Sequence, residues 1–158
     1  MLVGLARALQ GDAGGLAELR TAVAMGRDAP RFLLPTALGM LAYATRDGDE
    51  RAAALAEGDR LLAEDTVSHN RIWFNRFALE TALAIGDPAA ARRYAAALQR
   101  ASKEPLPYLE FLAHRGRLLT DRLEGRLDRA ACRELHDRAA MLGWNFAQPA
   151  LAAALAAD

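Results

Sequence analysis

Apolar residues recur at helical spacing along the chain. In one stretch they follow each other every three or four positions, on a single helix face: Leu109, Leu112, Gly116, Leu119 and Leu123. In another stretch they surround most of the helix: Ile72, Trp73, Phe74, Phe77, Leu79, Leu83 and Ile85. A helix that is apolar nearly all round is typically buried on more than one side. Both patterns predict α-helix.

Turn signals divide these stretches at nearly regular intervals. Gly-Asp pairs occur at Gly11-Asp12, Gly48-Asp49 and Gly86-Asp87, and a related EGRLD segment ends at Asp128. The glycines of the four turns are 37, 38 and 39 residues apart. Glycine in the left-handed conformation ends one helix, and the following aspartate accepts hydrogen bonds from the first N–H groups of the next. Each turn therefore predicts a helical hairpin.

The turns predict four hairpins and a closing helix. The paired helices cover about 2–10 with 13–26, 31–46 with 50–64, 69–85 with 88–101, and 107–123 with 129–142. The last helix covers about 147–157, with Asn145 as its cap and Pro149 in its first turn. Breakers at Asp28-Ala29-Pro30 and Asp65-Thr66 separate successive hairpins. The predicted fold is all-α: a single domain, 1–158, forming an α-solenoid of tetratricopeptide-like hairpins (2–26, 31–64, 69–101 and 107–142) with a C-terminal capping helix.

Two local features refine this prediction. Gly39 and Gly116 each lie nine residues before a turn glycine, and we expect helices to pack closely at both. The first helix is short, so Leu2, Val3 and Leu5 lack a covering repeat. We therefore expect the chain to be part of a longer protein, with Met1 at a cloning boundary or a late start. Homodimerisation through this apolar end is an alternative.

Composition supports the helical prediction. The chain has 37 Ala and 26 Leu but only 3 Val and 2 Ile, and Ala and Leu favour helices over strands. The charges of its 20 acidic and 20 basic residues cancel. The chain lacks the long basic run that would predict nucleic-acid binding. The lone Cys132 excludes an internal disulfide. The sequence has no apolar run of about 18 residues, so it predicts no membrane span. We expect a cytoplasmic protein.

A family resemblance is carried by three segments: SHN-x2-WF-x2-FALETALAIGDPAAARRYAAALQ, EPLPYLEFLAHRGRLL and ELHDRAAMLGW. They resemble the C-terminal tetratricopeptide-like helical-repeat region of bacterial class III adenylate/guanylate cyclases, over residues 67–151. Residues 2–64 are also similar to repeats of ATP-dependent LuxR-type regulators. The resemblance implies a cytoplasmic regulatory or interaction segment of a bacterial signalling protein. It carries over no catalytic residue, because the metal-binding carboxylates and nucleotide-binding residues of that family belong to the cyclase domain.

Ser68-His69-Asn70 is the strongest candidate for nucleophilic chemistry. A catalytic triad needs side chains that converge in space, whereas neighbours at a helix start point in different directions. Thr66 or Ser68 as the helix cap, with Asn70 bonding the connecting loop, explains the same residues. We predict no catalytic residue here.

Three other groups of residues invite a chemical interpretation. Cys132 and His136 offer two ligands on one helix face, but a zinc ion takes about four, so we predict no metal site and a buried thiol. The segment GDAGG at residues 11–15 follows a helix and lacks the Lys of a phosphate-binding loop. We expect no cofactor. The last group forms a solvated polar stripe with pairing along the helix: Glu110, His114, Arg117 and Asp121.

Partner binding is the remaining function class. Most aromatic residues at helical spacing belong to the core, including Phe74, Phe77 and Phe111. The best candidates for a partner-binding concave face combine an apolar body with a polar end: Asn70, Trp73, Arg76, Tyr108 and Arg115. We expect a non-catalytic module that binds a partner protein or the upstream domains of the same protein. The alternatives are a small-molecule effector sensor, which a pocket with convergent Arg or Asn groups would favour, and a homodimerisation module.

Overall fold

The computed structural model describes residues 1–28, 33–64, 67–101 and 104–156, and over these residues the fold is all-α. Its helices are α1 (Leu2–Leu9), α2 (Ala13–Asp28), α3 (Leu34–Ala44), α4 (Gly48–Ala63), α5 (Ser68–Ala84), α6 (Pro88–Gln99), α7 (Pro107–Leu123), α8 (Arg129–Met141) and α9 (Gln148–Ala156). The predicted helices match these bounds to within a few residues. Residues 31 and 32 of the second hairpin, residue 157 of the last helix, and the breakers at 29–30 and 65–66 lie outside the described residues.

Neighbouring helices in the chain pack on one another, as a helical repeat fold requires. The chain divides into two compact units, Met1–Thr81 and Ala82–Asp158, with the division inside α5. In the first unit, α1 packs on α2, α2 on α3, and α3 on α4. In the second unit, α6 packs on α7, α7 on α8, and α8 on α9. The prediction of a single domain stays a prediction.

Three of the four hairpin turns have the predicted geometry. Their glycines adopt the left-handed conformation: Gly11 (φ 87°), Gly86 (φ 71°) and Gly125 (φ 72°). In each turn an aspartate then accepts from the first backbone N–H groups of the next helix. The bonds are Asp12 Oδ1 to Gly14 N (2.7 Å), Asp87 Oδ1 to Ala90 N (2.9 Å), and Asp128 Oδ1 to Ala130 N and Ala131 N (both 3.0 Å). Pro88 opens α6 at a position where its missing N–H needs no partner.

The turn of the second hairpin differs from the prediction. The capping residue is Asp47, whose Oδ1 accepts from the N–H groups of Asp49 (2.9 Å) and Glu50 (3.0 Å). Gly48 is the first residue of α4, so the prediction that Gly48 ends a helix and Asp49 caps the next was wrong. The reason is that α3 ends at Ala44 and Thr45 is extended (φ −73°, ψ 142°). The chain therefore turns without a glycine in the left-handed conformation.

The last turn also departs from the prediction. Gly143 follows α8 in the left-handed conformation (φ 69°), a turn that the Gly-Asp pattern did not indicate. Asn145 lies three residues before α9, so it does not cap that helix. Its Oδ1 instead accepts from the side-chain amide of Gln148 (3.1 Å). Pro149 lies in the first turn of α9, as predicted.

The helix faces follow the predicted patterns except at the helix ends. Buried residues cover about half of the circumference of α5, among them Phe74, Phe77 and Leu79, whereas Ile72, Trp73 and Leu83 on the other side are half-buried. Ile85 lies beyond the end of α5 and is 50% exposed, so its prediction as part of that apolar surface was wrong. The apolar stripe of α7 is buried from its first member to Leu119, whereas its last, Leu123, is 39% exposed where the helix ends.

The N-terminal helix α1 is only partly uncovered. Leu2 and Val3 are 68% and 69% exposed, as expected. Leu5 is 8% exposed and belongs to the core of the first unit, so the prediction that it lacks a cover was wrong. The cover comes from α2, which approaches α1 closely because Gly15 has no side chain. A Cβ at Gly15 would lie 2.4 Å from the backbone nitrogen of Ala8.

The core of the first unit is tightest around Phe74 of α5. A Cβ at Gly39 of α3 would lie 3.3 Å from the Cα of Phe74, which confirms the predicted close approach. A Cβ at Gly58 of α4 would lie 2.0 Å from Phe74 Cε2, so the ring occupies the space that a side chain at Gly58 would need. Phe74 is 0% exposed. Gly116 in α7 of the second unit is buried.

The hairpin turns yield a prediction with an internal control. We expect Gly86→Ala to lower the free energy of unfolding by about 1 kcal/mol, because the left-handed conformation is costly for a residue with a Cβ. Gly48→Ala is the control, since a Cβ at either position meets no other atom, but Gly48 lies in a helix outside the left-handed region. We expect the control to be neutral or to stabilise by about 0.5 kcal/mol. Denaturant unfolding measures the free energy of unfolding of both variants. An equal loss in Gly86→Ala and Gly48→Ala would contradict the left-handed turn at Gly86.

The contact between Gly58 and Phe74 yields a second prediction. Gly58→Ala should destabilise the protein by about 1–3 kcal/mol, because overpacking outweighs the gain in helix propensity. In a Phe74→Leu background the same change should cost much less, since the ring that blocks the new methyl group is gone. A double-mutant cycle by urea unfolding measures this coupling. Additive losses would show that Phe74 is not what excludes a side chain at position 58.

Candidate functional site

A row of aromatic side chains lies on α5 and α3 of the first unit. The ring centroids of His69 and Trp73 are 6.1 Å apart, and those of Trp73 and Phe77 are 6.2 Å apart. Tyr43 of α3 continues the row, 6.2 Å from Phe77. The three α5 residues are four positions apart, which places them on one helix face. We call His69, Trp73, Phe77 and Tyr43 the aromatic ladder.

The members of the aromatic ladder range from buried to exposed. Phe77 belongs to the core, Trp73 and Tyr43 are half-buried, and His69 is exposed. The guanidinium carbon of Arg76 lies 5.1 Å from the Trp73 ring centroid and 5.6 Å from that of Phe77. Both distances fit cation–π attraction. The ladder therefore presents rings and a cation on one partly exposed surface.

Asn70 lies inside the first unit, although it was predicted for the partner-binding surface. It is 2% exposed, and its Oδ1 accepts from the Thr36 hydroxyl of α3 at 3.3 Å. The loop residues 65 and 66, to which a bond was expected, lie outside the described residues, and the contact with Thr36 links α3 to α5. Burial of a polar side chain is tolerated only where it has such a partner. As placed, Asn70 joins two helices.

The second unit holds Tyr108 and Arg115, both on α7. Tyr108 is half-buried and lies in an aromatic cluster, with ring centroids 5.5 Å from Trp144 and 6.1 Å from Phe146. Phe111 completes the cluster, 4.7 Å from Trp144 in an edge-to-face arrangement. Arg115 is 3% exposed, which is too buried for an open surface.

The five predicted residues are thus divided between the units. Asn70, Trp73 and Arg76 share α5 in the first unit, whereas Tyr108 and Arg115 share α7 in the second. The prediction missed that residues of the turn between α8 and α9 join Tyr108. An aromatic pair just after a helix-ending glycine, WNF at residues 144–146, was the available signal.

Ser68, His69 and Asn70 point to different partners. The His69 ring faces Trp73, Asn70 bonds Thr36, and Ser68 is the first residue of α5. Ser68 is therefore inside the helix and is not its cap, contrary to one prediction. The alternative cap, residue 66, lies outside the described residues. The three side chains do not form the convergent set that nucleophilic catalysis requires.

The other chemical candidates also have separate partners. The Cys132 thiol is buried, which raises its pKa, and Sγ lies 3.8 Å from the Leu151 carbonyl oxygen. His136 Nδ1 lies 3.3 Å from Asp137 Oδ1. Among the residues that the structure describes, no group of three or more His, Cys, Asp or Glu side chains has an arrangement that could hold a metal ion.

The polar stripe of α7 takes part in surface contacts. Arg117 donates to Gln99 Oε1 at 2.9 Å, and Asp121 lies 3.5 Å from Arg92 and 3.4 Å from Arg126. Burial, together with the positive charges of Arg117 and Arg138, lowers the pKa of His114. A lowered pKa favours the neutral imidazole at pH 7.

A cleft of about 280 Å³ opens between the first two hairpin turns of the first unit. The α1–α2 turn and the start of α2 form one wall, and the segment from Ala44 to Asp47 forms the other. Leu16 and small alanines supply an apolar floor, whereas Arg20, Arg46 and the two capping aspartates supply charge. Sequence reasoning missed this cleft because its two walls, residues 8–20 and 44–47, are far apart in the chain.

Two paired ion bridges join α2 to α4 beside this cleft. Arg20 binds both carboxylate oxygens of Glu50, at 2.7 Å and 3.0 Å. Arg27 binds both oxygens of Glu57, at 3.1 Å and 2.5 Å. Such two-point contacts fix the relative geometry of the partners better than single contacts do. The pairs are seven residues apart on both helices, a match that the sequence pattern alone did not reveal.

No family model, curated protein or solved structure matches this chain. In the part of the chain that the structure describes, no helix is both long and apolar enough to cross a membrane.

The Arg20–Glu50 pair yields a prediction for acid stability. The hydrogen bond from Arg20, aided by the Thr45 hydroxyl, lowers the pKa of Glu50. A lowered carboxylate pKa contributes stability above the pKa of the unfolded chain, and this is lost as the pH falls through the folded-state pKa. We therefore expect Glu50→Gln to unfold at a lower temperature than wild type at pH 7, with the difference shrinking below about pH 4.

The measurement is the melting temperature between neutral and acid pH. Glu110→Gln is the control, because Glu110 is exposed and forms no ion pair with any described residue. If the difference in melting temperature between wild type and Glu50→Gln were the same at every pH, this result would contradict the role of the charged pair.

Proposed function

We propose that this chain is a non-catalytic interaction module of a cyclase-like bacterial signalling protein. In this proposal a helix or extended segment of a partner, or of upstream domains of the same protein, docks on the repeats. Docking then biases the activity of an attached catalytic or regulatory domain. The aromatic ladder is the observation that carries the proposal.

The ladder has the composition of a binding surface. Trp, Tyr and Arg are the residues that most often dominate binding energy at protein interfaces, and here Trp73, Tyr43 and Arg76 are grouped on two neighbouring helices. Trp73 is half-buried, so its ring is held in place while part of its surface stays accessible. A pre-positioned ring loses little conformational entropy on binding.

The partner that suits this surface is an amphipathic segment. Its apolar side chains would lie against Trp73 and Tyr43, as in helix-in-groove recognition. Helical repeat proteins commonly bind partners along the first helices of their hairpins, and α3 and α5 are such helices. The resemblance of residues 67–151 to the repeat region of class III cyclases adds the signalling context.

Two other functions have some support in the structure. The cleft between the first two hairpin turns supports an effector-sensing role, because charged groups lie around an apolar floor. Exposed Leu2 and Val3 support a homodimer, although buried Leu5 cannot contribute to that contact. The ladder is the larger grouping of residue types that dominate interfaces, so partner docking is the function we favour.

The test is a quantitative pull-down from a lysate of the source cells with three baits. They are wild type, a ladder variant with His69→Ala and Trp73→Ala, and Met25→Ala as the control. Met25 is an apolar side chain of the same unit, 66% exposed and outside the ladder. Asn70 and Arg115 are unsuitable for this test because their removal would disturb the interior.

We expect a protein that wild type and Met25→Ala retain equally and that the ladder variant depletes about tenfold or more. Circular dichroism of each bait must show an intact helical fold at the assay temperature. Equal retention by three folded baits would contradict docking on the ladder. A captured protein with a nucleotide cyclase or ATPase-like domain would support the signalling context.

A further inference from the structure

The cleft between the first two hairpin turns contains charged groups of two kinds. Some are already engaged by other parts of the protein. Arg20 donates two hydrogen bonds to Glu50, at 2.7 Å and 3.0 Å. Asp12 accepts from Arg7 Nε at 2.7 Å and from the backbone N–H of Gly14 at 2.7 Å. These groups shape the cleft and contribute little new binding capacity.

Arg46 and Asp47 form the second kind. The guanidinium of Arg46 makes no hydrogen bond or ion pair with the described residues, although it lies at the cleft. Asp47 uses only Oδ1 for the two backbone N–H groups of α4, at 2.9 Å and 3.0 Å. Its Oδ2 accepts no hydrogen bond from any described side chain. A cation and one carboxylate oxygen, on consecutive residues of the cleft wall, thus form no hydrogen bond with the described side chains, although Arg20 lies within electrostatic range of Asp47.

The remaining lining is apolar and small. Ala8, Ala13, Leu16 and Ala44 line the cleft with apolar side chains, and we call these four the floor, which suits a short aliphatic group. The four charged side chains of the cleft, Arg20, Arg46 and the two capping aspartates, have no net charge. A multiply charged anion such as a nucleotide phosphate would be repelled by both aspartates. A neutral but dipolar ligand could pair each of its two charges with one of the groups that are not yet engaged, Arg46 and Asp47.

We propose that this cleft binds a free α-amino acid with a short aliphatic side chain. Its carboxylate would pair with Arg46, because guanidinium and carboxylate match in a two-point geometry. Its ammonium group would pair with Asp47 Oδ2. Its side chain would cover the alanines and Leu16 of the floor. A cleft of about 280 Å³ has room for a ligand of this size.

Ligand binding here would act on the first two hairpins. The cleft walls belong to the α1–α2 turn and the α3–α4 turn, so an occupant contacts both hairpins at once. A ligand that binds only the folded state stabilises it, and this one would hold the two turns together beside the Arg20–Glu50 pair. The cleft shares no residue with the aromatic ladder, so the two proposals stand or fall separately.

The test is a titration of the 15N-labelled full chain, followed by the amide resonances of the protein. The probe is L-leucine. Two analogues each lack one of its charged groups: 4-methylpentanoate has no ammonium, and 3-methylbutylamine has no carboxylate. We expect saturable shifts for L-leucine at the amides of Gly11, Ala13 and Thr45. We expect each analogue to bind at least about tenfold more weakly, because a charged partner is left unpaired.

Three variants assign the groups. Arg46→Ala should weaken L-leucine binding by at least about tenfold, and Arg133→Ala, an exposed arginine in the other unit, should leave it unchanged. Asp47→Asn keeps a residue that caps helices well but removes the charge. It should weaken binding of L-leucine but not of 4-methylpentanoate, whose carboxylate Asp47 can only repel.

Several results would overturn the proposal. Absence of saturable shifts up to the solubility limit of L-leucine would remove the site. Saturable shifts confined to other parts of the chain would place the ligand elsewhere. Equal affinity for L-leucine and 4-methylpentanoate would show that Asp47 does not select an ammonium group. Retention of full affinity in Arg46→Ala would remove the carboxylate partner.

Discussion

In each hairpin one helix ends and the next begins within a few residues, so the first N–H groups of the second helix need acceptors close at hand. Asp12, Asp47, Asp87 and Asp128 supply them from within the turns. Because the acceptor belongs to the turn itself, no additional segment is needed to shield these N–H groups. Helix α1 therefore packs directly on α2, and α3 on α4, and the core, the ladder and the cleft of the first unit depend on that packing.

Packing in the interior of the first unit depends on glycines, because they leave space for neighbouring residues. Phe74 fits into the space that Gly39 and Gly58 leave. Helix α1 approaches α2 closely at Gly15, which also has no side chain. Burial of Phe74 fixes the rotation of α5 about its own axis. That rotation brings His69 and Trp73 to the partly exposed side and turns Asn70 toward α3.

Two surfaces of different chemistry follow in the same unit. The ladder offers rings and a cation, which suit an amphipathic segment of a protein. The cleft offers opposite charges on the consecutive residues Arg46 and Asp47 together with apolar lining residues, which suit a small dipolar molecule. In the proposed signalling module the two are complementary, since a ligand that holds the first hairpins together would also alter the stability of the helices that carry the ladder. Partner docking and ligand binding would then be thermodynamically linked.

The sequence by itself determined the helices and most of their turns, because apolar periodicity and Gly-Asp capping act between residues that are close in the chain. Even so, DGD at residues 47–49 offered two capping aspartates, and only the end of α3 at Ala44 decided in favour of Asp47. Tertiary structure alone decided the contact of Gly58 with Phe74, the match of Arg20 with Glu50, and the burial of Asn70 and Arg115. These contacts depend on how helices rotate and approach each other. They join residues that are far apart in the chain, and the local spacing of residue types does not indicate such pairs.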